Sequence, residues 1–141
     1  EWLKEEDMGE QIVPNPSRVK VGVNKQGKRS EHCRDATGER KYIVIESDDE
    51  SLSFEEKASL IRYLRDEAKA ELKMIVHSGG KSLHGWFNAT GNPKHDWEFM
   101  KVACILGSDP RMWLPEQLAR TPNAVRGKNN LIQKTLYFDH R

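Results

Sequence analysis

Apolar residues in this chain come in short bursts, and their period changes along the sequence. Tyr42–Ile45 is a continuous apolar run of strand length that ends in Glu46, Asp48, Asp49 and Glu50, which predicts a buried strand opening into a polar loop. Ser53 and Glu56 then stand three apart as a capping box, and Phe54, Ala58, Ile61, Leu64 and Ala68 recur at helical spacing. They predict a helix over residues 53–71. Leu72–Val76 reads as a second strand, Gly79-Gly80 as a turn and Ser82–Asn88 as a third strand, together a hairpin. Asn92 caps a second helix with Pro93 at its first position, and Gly107 closes it. A loop rich in Pro and Arg follows Asp109, then a last strand over Gln133–Phe138. Upstream, residues 11–41 contain Pro14, Pro16, Gly22, Gly27 and Gly38, with little apolar period beyond RVKVGV. They predict an edge strand followed by a basic loop.

The order β-α-β-β-α-β is that of an α+β fold of the ferredoxin-like or RRM-like kind, a mostly antiparallel sheet with helices on one face. Its core is expected over residues 42–141, with residues 1–41 as an N-terminal extension or reduced lobe that carries the basic loop. At 141 residues the chain suits one domain, and 36% hydrophobic with 32% charged residues lean polar without reaching the composition of disorder. It contains no run of about 18 or more apolar residues, and its opening EWLKEEDMGE is no signal peptide. Neither a membrane span nor secretion is expected. Cys33 and Cys104 lie far apart with no CxxC pair, so a disulfide framework is not expected and a reducing cytoplasm is the default. The chain opens on Glu1 and stops just after TLYFD, which reads as a domain cut from a longer polypeptide.

Net charge is +1, but its distribution is uneven. Residues 11–41 carry eight bases against three acids, residues 42–77 nine acids against five bases, and residues 111–141 six bases against two acids. Two basic segments flanking an acidic middle suit a polyanion held around a metal-binding centre. An unevenly charged, solvated surface reads the same way.

Three clusters could carry chemistry. In YIVIESDDE, Glu46 and Asp48 stand two apart at the end of a strand, so both point to one face. Two carboxylates there can hold hard divalent ions such as Mg²⁺; taken alone, such acids more often open a loop and cap the next helix. In HSGGKSLHGWF, Ser78-Gly79-Gly80-Lys81 puts a hydroxyl, a flexible backbone and a cation within four residues, which suits phosphate oxygens. It is no Walker A loop, since GxxxxGK[ST] is absent. Ser82 and His84 share a strand face, and the imidazole could donate to a triphosphate oxygen. In LARTPNAVRGKNN, Arg120 and Arg126 mark a basic segment, which by itself reads as an ordinary surface loop. Trp86, Phe87, Trp97, Met100 and Trp113 read as core, and Asp49 and Glu50 as helix-start acids. His32 and Cys33 lack a second pair of ligands, so no structural zinc is expected.

SGGKSLHGWF resembles the second motif of the archaeo-eukaryotic primase superfamily, whose core is small-x-His. Its fuller form, Ser-Gly-Gly-Lys-x-Leu-His, is similar to the polymerase domains of bacterial end-joining ligases and of plasmid or phage primase-polymerases. That family's first motif is a hydrophobic strand ending in two acids one residue apart. Glu46-Ser47-Asp48 resembles it, with Glu in place of the commoner first Asp. Asp109, 25 residues after His84, fits the third, single-acid motif by position, and Arg120-Thr121-Pro122 resembles the Arg-x-Pro loop that follows it, whose arginine reaches phosphate or template backbone; Arg120 would take that part first, before Arg126.

The resemblance spans residues 42–139 and implies roles. Glu46, Asp48 and Asp109 would bind a two-ion Mg²⁺ or Mn²⁺ site. Ser78, Lys81, Ser82, His84, Arg120 and Arg126 would hold a nucleoside triphosphate. The implied activity is DNA primase or primase-polymerase, acting on a single-stranded DNA template and primer. The implied setting is bacterial, phage or plasmid replication, with a helicase in the same polypeptide. A primer-extending polymerase or repair module would use the same motifs. A catalytically inactive single-stranded nucleic-acid or replication-origin binding module on an RRM-like sheet is the alternative from another class.

Overall fold

A computed structural model describes residues 9–141; most of the acidic opening segment lies outside the described residues. In chain order the elements are β1 (Gln11–Ile12), β2 (Gly22–Val23), β3 (Arg29–Ser30), β4 (Tyr42–Ser47), α1 (Phe54–Glu67), β5 (Leu72–His77), β6 (Leu83–Asn88) and α2 (Pro93–Ile105). A 3-10 turn (Pro110–Trp113) follows, then β7 (Ala119–Arg120), β8 (Val125–Arg126), β9 (Leu131–Ile132) and β10 (Thr135–Phe138).

The caps read from sequence form as expected. Ser53 and Glu56 close a reciprocal capping box at the start of α1. The Asn92 side chain accepts from the N–H groups of Lys94 and His95 at the start of α2. Gly107, with φ +97°, ends α2 in a backbone conformation that favours glycine. α1 stops at Glu67, short of the expected 71, because Lys69 takes the left-handed conformation (φ +53°) and redirects the chain into β5. RVKVGV contributes only the two residues of β2, paired with β3. The last strand starts at Thr135, because Gln133 spends its backbone groups on Ala124 and Asn123 instead of the sheet.

The fold is α+β with a mostly antiparallel sheet, ordered β4-β6-β5-β10. Side chains alternate across it. A Cβ on Gly85 would touch Ile61 of α1 and Ile45 of β4, and Phe87 packs on Phe99 of α2 at 4.9 Å between rings. Both helices therefore cover the face that carries Ile45, Gly85 and Phe87. The opposite face carries Val44, Glu46, Val76, His84 and Trp86. It is buried too: Ile12–Pro14 and Pro122 lie beside Tyr42, Met74 and Trp86.

One feature of the topology decides the site. Two interlocked βαβ halves would set the fourth strand beside the first. Here β10 joins the β5 edge instead, so β4 has a strand on one side only. The chain leaving α2 uses that open edge, with Ser108 bridging to Ser47. No described helix is long and apolar enough to cross a membrane.

Candidate functional site

Glu46 of β4 and His84 of β6 are direct cross-strand partners on the face away from the helices. The buried imidazole Nε2 lies 3.5 Å from Glu46 Oε1 and 3.5 Å from Ser82 Oγ. This contact with His84 holds the Glu46 carboxyl below the ordinary carboxylate range, against the burial that would raise it. His84 thus braces Glu46 from within the sheet.

Asp109 arrives along the open edge of β4. The Asp109 N–H donates to the Glu46 carbonyl at 3.2 Å, and the Glu46 N–H donates to Ser108 Oγ at 3.2 Å. The acid after α2 is thereby fastened to the residue that starts the acidic pair. Asp109 also caps the 3-10 turn, and Arg111 grips its carboxylate and lowers its pKa. Asp48 lies beyond the strand end, with Lys81 Nζ at 3.8 Å. Lys81 is closer to Glu50, at 2.9 Å, so Glu50 belongs with the site and not only with the helix start. Asp49 folds back on Ser51.

The Ser78–Lys81 turn is built from all sides. Ser78 Oγ accepts from the Ser82 N–H at 3.1 Å, and the Gly79 N–H donates to His77 Nδ1 at 3.0 Å, so the Gly79 amide is not free for phosphate. Lys57, buried on α1, donates to the Lys81 carbonyl at 2.6 Å. Asn129 donates to the Gly79 carbonyl at 2.6 Å. The β8–β9 hairpin lies on the turn, with the Arg126 guanidinium directly over Gly80. Arg120 is held elsewhere, 3.8 Å from Glu10, whose carboxylate also accepts the Gly127 N–H. Of the two arginines, Arg126 is the one on the turn.

No family model, curated protein or solved structure matches this chain. Among the described residues, no three His, Cys, Asp or Glu side chains are gathered as a group able to hold one metal ion. The acids stand along one edge, with Arg111 and Lys81 lying on them.

Lys57, Ser108, Arg111 and Asn129 escaped the reading of the sequence. Lys57 had a visible signal: a lone charge between Phe54 and Ile61 on the apolar stripe of α1. Lys57→Met keeps the stem and removes the bond to the turn. It is expected to cost about 1.5–3 kcal/mol in urea denaturation, as for a hydrogen bond from a charged donor. Arg111 sits in the short 3-10 turn and Asn129 in the β8–β9 connection, and neither carries a periodic signal.

The depressed carboxyls set a direction with pH. Glu46 and Asp109 bind protons less readily folded than unfolded, so their contribution to stability is complete above the ordinary carboxylate range. It is lost as pH falls through their lowered values. Asp109→Asn keeps a capping oxygen but no charge, and is expected to flatten the acid limb of a melting-temperature series below about pH 4. An unchanged acid limb would show that the Arg111 contact adds nothing to folding.

Proposed function

We propose that this chain is the catalytic core of a template-directed nucleotidyltransferase, a DNA primase or primase-polymerase acting on single-stranded DNA. The observation that carries this reading is the Asp109 amide on the Glu46 carbonyl, which joins acids distant in sequence at one sheet edge. The Lys81 ammonium reaches the neighbouring acids Asp48 and Glu50 from the Ser78–Lys81 turn.

The donor chemistry suits Mg²⁺ or Mn²⁺: Glu46, Asp48 and Asp109 offer carboxylate oxygens only, the ligands that hard divalent ions take, and they stand along one edge without being gathered round a single point. A bound pair of such ions supplies activation of a 3′ hydroxyl and neutralises charge on the transferring phosphoryl group. The protein's own residues bind and orient. Lys81 and Arg126 offer charge to the triphosphate, with Ser78 and Ser82 fixing the turn between them. His84 keeps Glu46 ionised and in place. The new bond joins the primer 3′ oxygen to the α-phosphorus, and the bond from that phosphorus to the bridging oxygen breaks, releasing pyrophosphate. No side chain serves as nucleophile, so positioning and charge do the catalysis.

The test is nucleotide incorporation on a single-stranded template with Mn²⁺ or Mg²⁺. Metal-dependent products are expected; products on unprimed template mark a primase, and products only on annealed primer mark an extending polymerase. DNA binding without any metal-dependent nucleotide binding would put the binding-module reading in its place.

A further inference from the structure

One residue fills the carboxylate of Asp109. Its Oδ1 accepts from the Arg111 backbone N–H at 2.9 Å and from Nε at 3.1 Å; its Oδ2 accepts from Nε at 2.9 Å and Nη2 at 2.6 Å. The Asp109 side chain is 15% exposed and that of Arg111 78% exposed, so the guanidinium reaches in from solvent. Glu46 and Asp48 also add to the field at Arg111 and help raise its pKa. On the other flank Lys81 spans Glu50 and Asp48, and it is more than half exposed.

Chemistry makes this pairing consequential. A guanidinium forked onto a carboxylate takes the oxygen lone pairs that a hard divalent ion needs. Glu46, Asp48, Glu50 and Asp109 carry four negative charges, and Lys81 and Arg111 return two of them. When divalent ions neutralise the acids, those two cations lose their partners beside the turn that Arg126 overlies. The 3-10 turn does not need the Arg111 side chain, since its cap uses the Arg111 backbone N–H.

We propose that Arg111, seconded by Lys81, is a built-in counterion that competes with divalent metal for the acids and passes to the triphosphate when metal enters. The inference rests on the nucleotidyltransferase reading above and adds a coupling to it. Metal alone binds weakly because it must displace a forked guanidinium. Triphosphate strengthens metal binding by giving the displaced cations a new partner, and metal strengthens triphosphate binding by the same factor.

The experiment is a calorimetric titration of the intact chain with Mn²⁺, without and with a nucleoside triphosphate analogue blocked at its α,β-bridge. The parent is compared with Arg111→Ala and Arg111→Lys, and melting curves confirm that each folds. Without nucleotide, Arg111→Ala is expected to bind Mn²⁺ about fivefold or more tightly than the parent, and the increase brought by the analogue is expected to shrink by a similar factor. Arg111→Lys, a point charge without the fork, is expected to fall between them. Equal or weaker Mn²⁺ binding by Arg111→Ala without nucleotide overturns the inference while leaving the nucleotidyltransferase reading in place. A parent and an Arg111→Ala variant that both take up no Mn²⁺, with or without the analogue, overturn that reading and the inference with it.

Discussion

Asp48→Ala is expected to cut metal-dependent nucleotide incorporation by about a thousandfold or more, some 4 kcal/mol of transition-state stabilisation, while the protein stays folded. The reason lies in how little else Asp48 does. It stands past the end of β4, half exposed, and its one ion pair among the described residues is the loose 3.8 Å approach of Lys81. Removing it opens no cavity and strands no buried donor, so the melting temperature should move by only a degree or two, as for an ordinary surface change. Rate and stability therefore separate cleanly in this variant. Incorporation by Asp48→Ala at the parent's rate would remove the catalytic assignment, and with it the role given to its neighbours Glu46 and Asp109.

Phe87→Ala is expected to have the largest effect on the fold. Phe87 is fully buried at the centre of the sheet, paired with Ile43 and Leu72 across the strands and packed on Phe99 of α2. Truncating such a side chain costs about 3–5 kcal/mol, the lost transfer energy plus the cavity. A domain of this size holds about 5–15 kcal/mol in total, so the variant loses a large share of its stability. Denaturant titration would read the change as a shift in midpoint at constant slope. The damage should reach the site, because α2 carries Ser108 and Asp109 to β4 from its far end. A loss under about 1 kcal/mol would contradict the packing of α2 on this strand.

What could be read along the chain follows from the range of each interaction. The capping box of α1, the Asn92-Pro93 start of α2 and the left-handed Gly107 are contacts within a few residues, and each leaves a pattern of residue types. The apolar runs of β4, β5 and β6 are local in the same sense. The end of α1 escaped because Lys69, not glycine, takes the left-handed position. Six of the strands have only two residues, too few for any period to show. Gln133 looked like strand because it joins an apolar run, yet its backbone is spent on residues 123 and 124.

The site divides along the same line. Alternation predicts Glu46 and Asp48 on one face, but β4 ends at Ser47 and only Glu46 lies in the strand; the residue types of Ser78–Lys81 alone mark a turn with a cation. Pairing of β4 with β6 then sets Glu46 against His84. Pattern could not say where β10 would pair, and so could not say that β4 would keep an open edge for Ser108, 62 residues from Glu46. The resemblance puts Arg120 first, yet packing sets Arg126 on the turn and holds Arg120 against Glu10. Those outcomes depend on contacts between segments far apart in sequence, which no window of neighbouring residues encodes; only the packed chain decides them.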